Sequence, residues 1–226
     1  MVVPPSAGPR HLTHGSASRT EPEPDPTLWP PPMEIPLDDH DLADAAEPDP
    51  GGGSPGRTSP GLRLIIRTDG AARGNPGPAA AGAVLIDATA PGASHPLAAP
   101  LATISDYLGV QTNNVAEYTG VVRALGLAAE LGASEVDLLL DSKLIVEQVH
   151  GRWRVKDAKL QPLHREVGER LRGFRRWTAR HVPRAQNAAA DALCNEAIDR
   201  VGAGGPASVV RRPGPSVDGA PGQGVG

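Results

Sequence analysis

Four acidic side chains in this 226-residue chain stand where acidic side chains are costly. Asp69 follows the β-rich run Leu62–Thr68. Asp141 follows Glu135–Leu140, a run that alternates at first and is apolar through Leu138–Leu140. Ligands of open α/β sheets gather outside the C-terminal ends of strands. Two carboxylates placed there repel each other unless a cation lies between them. Glu117 shares a helical row with Val121, Ala124 and Ala128, and Asp191 shares one with Cys194 and Ile198. Both should therefore point inward or along the core edge. No Lys or Arg lies four residues from either, and a buried carboxylate is costly unless it is paired or binds metal. Each acid alone has an ordinary explanation. Asp69-Gly70 reads as a turn, Asp141 as a cap, and Glu117 and Asp191 as first-turn acids favoured by the helix dipole. Together, two strand-end acids and two helix-face acids are what a two-metal phosphodiester site requires. Hard Mg²⁺ prefers oxygen ligands and keeps several waters. Two such ions about 3.5–4 Å apart can activate water and stabilise a leaving oxygen.

The elements that must position these acids follow one another in a definite order. Leu62–Thr68 is a predicted strand, and Gly74-Asn-Pro-Gly-Pro78 is a turn cluster. Ala81–Asp87 is a second strand, and roughly Ser94–Ser105 a weaker third. Tyr118, Val121, Val122, Leu125 and Ala129 recur at helical spacing, which predicts a helix over Asn114–Leu131 that Gly132 can end. Glu135–Leu140 is a fourth strand. Ser142 can cap a helix over Lys143–His150. Beyond a basic loop come a helix at Leu160–Phe174, a fifth strand at Arg176–Val182 and a last helix at Ala188–Arg200. This order predicts an α/β fold, a five-stranded mixed sheet flanked by helices.

Charge and composition divide the chain into three parts. Residues 1–60 carry a net −7 and 14 of the 25 prolines; residues 61–202 carry +2; the whole chain is −4. The acidity thus belongs to the head and does not argue against a nucleic-acid ligand for the body. The Pro/Gly-rich head, residues 1–60, cannot bury enough apolar surface to offset its ordering entropy and is expected to be disordered. The Gly/Pro-rich tail, 203–226, is expected to behave likewise. Apolar spots at Leu28-Trp29 and Met33–Leu37 make the head a candidate docking segment for an unidentified protein partner, with a plain extension as the alternative. The single cysteine, Cys194, excludes an intrachain disulfide and a paired-cysteine zinc cluster. There is no run of about 18 apolar residues to span a membrane, and no secretory h-region. A cytoplasmic monomer without membrane contact is the default expectation.

Several motifs give these residues a family likeness. Thr68-Asp-Gly70 with Gly74-Asn-Pro-Gly-Pro78, Thr112-Asn-Asn114 with Glu117, Leu140-Asp-Ser142 with Val146, and His181-Val-Pro-Arg184 with Asn187 and Ala190-Asp191 resemble the four motifs of type 1 ribonuclease H, in order, over residues 62–200. The Asp141–Gln148 run, Gly151–Lys156 and the Val-Pro-Arg ending further resemble its actinobacterial and archaeal-like branch. Some members of that branch carry a C-terminal phosphatase-like domain, which this chain is expected to lack. The resemblance implies the ribonuclease H-like fold and an endoribonuclease that hydrolyses the RNA strand of RNA–DNA hybrids, giving 5′-phosphate and 3′-hydroxyl ends. It implies that Asp69, Glu117, Asp141 and Asp191 are catalytic and bind two Mg²⁺ ions, with Mn²⁺ a substitute. It implies substrate contacts for Asn75, Thr112, Asn113 and Asn114, although Asn75 also suits the turn and Thr112 and Asn113 suit a helix cap.

The chain departs from the best-known bacterial pattern in three places. Lys143, a further candidate substrate contact, stands where that pattern has Gln, and Lys can only donate, so contacts that need an amide acceptor would change. The better-known members carry a loop His that helps product release; here the loop from Val182 to Asn187 has no His, which leaves Arg184 as the candidate for that role and His181 as a structural residue. A long basic helical handle is absent. The shorter stretch Arg152, Trp153, Arg154, Lys156 and Lys159 is a candidate phosphate contact or simply a solvated loop. Trp153 and Trp177 are expected in the core. Two other readings remain open on sequence: a hybrid-binding module that does not cleave, and a different nuclease or recombinase on the same fold.

Overall fold

The structure, a computed structural model, describes residues 61–212. The expected disordered head, its two apolar spots and residues 213–226 lie outside the described residues.

Strands β1 (Leu62–Ala72), β2 (Gly77–Asp87) and β3 (Ala102–Gln111) form an antiparallel meander. Helix α1 (Asn113–Glu130) returns the chain to β4 (Ala133–Leu140), which pairs parallel with β1. Helices α2 (Lys143–Val149) and α3 (Leu160–Leu171) lead to β5 (Arg176–His181), parallel to β4. A 3₁₀ turn at Arg184–Gln186 then opens into α4 (Ala188–Gly202). A final strand, β6 (Ser208–Arg211), pairs antiparallel with β3, so the sheet order is β5-β4-β1-β2-β3-β6.

The predicted mixed sheet with flanking helices is present, but with six strands instead of five. The added strand overturns the expected disorder for the part of the tail at 203–212. Gly and Pro precede β6, but its backbone completes the exposed edge of β3. Arg200 on α4 donates to the carbonyls of Ser105, Pro206 and Ala207 and so fastens the approach to β6. The third strand also lies later than Ser94–Ser105. Residues 88–101 form turns instead, and β3 begins at Ala102. Its pattern was hidden by Asp106, which is buried because it pairs with Arg123 at 2.6 Å and accepts from Ser208.

The two faces of the sheet are covered unequally. On one face, Leu64, Ile66, Leu138 and Leu140 pack with Val121, Leu125 and Ala128 of α1 and with α3 into the main core. On the other, α4 places Cys194, Ala197 and Ile198 against Ala80. Trp177 joins the main core, as expected, whereas Trp153 is 46% exposed.

Gly82 sets how near α4 comes. A Cβ built there would stand 2.2 Å from the Ala190 carbonyl oxygen and 3.0 Å from the Cys194 amide nitrogen, both backbone atoms of α4. Gly82→Ala should therefore lower stability by about 1–3 kcal/mol, the usual range for overpacking. Urea denaturation measures it, and an unchanged midpoint would show the contact to be slack.

Candidate active site

The register of β1 against β4 brings the first two acids together. Thr68 pairs with Leu140 at the last rung of the parallel ladder, so Asp69 and Asp141 follow side by side. Asp69 does not end its strand, as the sequence suggests. The strand β1 continues to Ala72 against β2 after β4 has stopped. That stagger leaves Asp141 at an open strand end while Asp69 stays inside β1, paired with Gly82 of β2.

The two helix acids arrive near the starts of their helices: Asp191 in the first turn of α4, Glu117 just beyond the first turn of α1 and not, as the sequence suggests, within it. Thr112 caps α1 by accepting from the Val115 amide, and Glu117 follows one turn later. Gly70 lets this turn approach: a Cβ there would lie 2.0 Å from the Glu117 amide nitrogen. On the opposite face Gly82, the cross-strand partner of Asp69, admits the first turn of α4, which carries Asp191. All four acids line one cleft of about 460 Å³ with Gly70, Asn113 and Arg184. Among the described residues, no three His, Cys, Asp or Glu side chains close into a tight ligand cluster. The acids therefore line one cleft without closing on a single point.

The electrostatics are strained. Burial above all, then the charge of Asp141, pushes the Asp69 carboxyl up to about 7; Asp191 and Glu117 add to the rise, against a hydrogen bond from the Gly70 amide. Burial also raises Glu117, helped by Asp141, while Ser142 and Asn113 oppose. Asn113 donates to Glu117 Oε1 at 2.7 Å, but Glu117 Oε2 is buried with no hydrogen-bond partner. Asp191 has the cation that local spacing did not offer: Arg184, seven residues earlier, bonds its Oδ1 at 3.0 Å. Asn195 donates to its other oxygen. Four acids around one cleft, an orphaned buried carboxylate oxygen and oxygen-only donors are chemically suited to a hard divalent cation.

The expected substrate residues divide. Asn75 accepts from the Asn113 amide, which joins the Gly-Asn-Pro-Gly turn to the start of α1 beside Glu117. Thr112 is the cap of that helix, and Arg184 lies in the cleft. Asn114 and Lys143 are exposed near it but outside its lining. His181 is exposed at the end of β5 and takes no part in the core.

Sequence reasoning passed over Asn187 as a site residue. Its side chain, 1% exposed, donates to the Thr68 carbonyl at 2.8 Å and to Asp141 Oδ1 at 2.9 Å. A polar residue at the mouth of a helix, directly after a turn, was the available signal.

A family model described as reverse transcriptase-like matches residues 67–197. Ribonuclease HI of Halobacterium salinarum is 39% identical over 159 residues, which cover 70% of this chain and 71% of that protein. The chain belongs to the type 1 ribonuclease H family. The bifunctional protein Rv2228c of Mycobacterium tuberculosis is 44% identical over 138 residues. This ribonuclease H family member has 61% of its length in that match, which spans 36% of the mycobacterial protein. Among solved structures, LC11-RNase H1 isolated from compost, in complex with RNA/DNA hybrid, aligns with a TM-score of 0.54 at 39% identity, covering 61% of this chain and 98% of that one.

The raised Asp69 carboxyl makes a pH prediction for the metal-free protein. A carboxyl whose pKa rises on folding contributes stability that is fully present below the unfolded value near 3.8 and is lost as pH climbs through about 7. In EDTA, Asp69→Asn should therefore be more stable than the wild type at pH 8, by an amount of order 1–4 kcal/mol. The difference should shrink toward pH 5. Thermal melts at the two pH values check this, and equal differences at both would refute it.

Proposed function

We propose that this chain is an endoribonuclease that hydrolyses the RNA strand of RNA–DNA hybrids by two-metal-ion catalysis. Water attacks the phosphorus and the bond to the 3′-oxygen breaks, leaving 3′-hydroxyl and 5′-phosphate ends. The observation that carries the reading is the convergence of Asp69, Glu117, Asp141 and Asp191 on one cleft. Family membership and the hybrid seen with the compost relative support the substrate class. Whole-protein activity is a proposal in its own right, because the mycobacterial relatives extend well beyond the matched region.

In this reading the four carboxylates hold Mg²⁺, with Mn²⁺ as a substitute. Bound divalent ions would lower the pKa of a water and stabilise the leaving oxygen. The protein's own part is to hold the acids rigidly and to present the hybrid. Asn75, Thr112 and Asn113 form a polar ledge next to Glu117, suited to minor-groove edges and 2′-hydroxyls, which distinguish RNA from DNA. Arg184, exposed and already drawn to the acids, is placed to meet a phosphate. Lys143 and Asn114 would reach the duplex from the rim. A cytoplasmic monomer is the working expectation, and among the described residues no helix is long and apolar enough to cross a membrane.

The test is a substrate panel: matched hybrid, double-stranded RNA and double-stranded DNA, each with Mg²⁺ and with Mn²⁺, using the full chain and one lacking residues 1–60. Cleavage of the hybrid's RNA strand is expected, and preferential cutting of duplex DNA would overturn the substrate. Asp69→Asn should reduce cleavage to background while circular dichroism stays native. Wild-type turnover in that variant would remove the site.

A further inference from the structure

Two residues before Asp69, and on the same face of β1, Arg67 is 1% exposed. Among the described residues no acidic side chain pairs with its guanidinium. Nη1 donates to the Gln186 carbonyl at 2.8 Å, Nη2 to the Ser94 carbonyl at 3.0 Å, and Nε has no partner. A buried cation without a counter-ion is costly, and an apolar residue would suit this position beside Val84 and Leu139. What the cation does is clamp two segments that cross the same face of the sheet. One is the β2–β3 connection, at Ser94. The other is the 3₁₀ turn that carries Arg184 and leads into α4. Consecutive residues of β1 thus hold consecutive residues of the turn: Arg67 holds Gln186, and the Thr68 carbonyl holds Asn187. One side of that turn is Arg184, bonded to Asp191, and the other is Asn187, bonded to Asp141.

We infer that Arg67 is a positioning residue of the site, whose buried guanidinium fixes the turn at 184–187 and through it the placement of Arg184 and Asp191 against Asp69 and Asp141. Its kinetic consequence rests on the nuclease reading; its structural consequence does not. Methionine fills similar space but leaves both carbonyls without a donor. Lysine keeps the charge and can reach one of the two.

The experiment compares wild type, Arg67→Met and Arg67→Lys in the full chain. Amide hydrogen exchange, Mn²⁺ affinity by calorimetry, and kcat and KM on hybrid are measured for each. In Arg67→Met, exchange over residues 184–191 should rise about tenfold with β4 and the middle of α1 unchanged, as local opening requires. Mn²⁺ affinity and kcat should each fall about tenfold, the scale of lost outer-sphere support, with KM nearly constant. Arg67→Lys should recover part of each loss. Wild-type exchange and Mn²⁺ affinity in Arg67→Met would overturn the inference. So would a loss spread evenly over the sheet with no recovery by lysine, which marks general destabilisation. Should Arg67→Met fail to fold, Arg67→Lys decides: a rise confined to 184–191 supports the role, and a uniform rise or none refutes it. If exchange and Mn²⁺ affinity respond as expected while wild type leaves hybrid uncut, the nuclease reading fails and the positioning role stands.

Discussion

A helix backbone can approach a β-sheet as closely as α1 and α4 do only where the sheet offers no Cβ. Two glycines beside Asp69 meet that requirement, one on each face. Gly70 follows it in the chain, and Gly82 faces it across the β1–β2 ladder. The first takes the turn that carries Glu117, the second the turn that carries Asp191. Local contacts then shape the two turns so admitted: the capping of α1 by Thr112, the contact of Asn113 with Glu117, and the reach of Arg184 to Asp191.

Packing supplies what electrostatics opposes. The main core buries apolar side chains from five strands and three helices, and burial of this kind dominates the favourable side of folding. It overrides the mutual repulsion of four acids that would separate if free in solution. Partial relief comes from single polar contacts: Asn113 on Glu117, Arg184 and Asn195 on Asp191, and Asn187 on Asp141. None reaches Glu117 Oε2. The packing thus holds the four carboxylates around one cleft with their charge only partly offset.

Much of this was legible in the sequence, for reasons that differ residue by residue. Asp141 was visible because an apolar strand stops at it, and Glu117 and Asp191 because each interrupts an apolar helical row. The motif order carried the family. What escaped detection depended on tertiary partners. Arg67 sits in Leu-Arg-Leu-Ile-Ile-Arg, where alternation reads it as a solvent-facing residue, yet distant carbonyls let it be buried. Asp106 disguised β3 because its partners, Arg123 and Ser208, lie 17 and 102 residues away. Arg184 escaped a search for partners at helical spacing because it reaches Asp191 from the preceding turn. Trp153 was assigned inward by its type alone, yet it stands half-exposed on the loop between α2 and α3.

The last strand has a consequence for how copies of this protein meet. A sheet edge is a template for another chain's backbone, and long, flat, apolar edges invite aggregation. Here the outer edge is β6, only four residues long. Arg211 is tied to Glu196, and Arg212, just past the strand, to Glu130, while Pro213 follows at once in the sequence. The edge left by β6 is thus short, with its arginines held back by carboxylates of α4 and α1, and it offers little backbone for a second copy to extend the sheet.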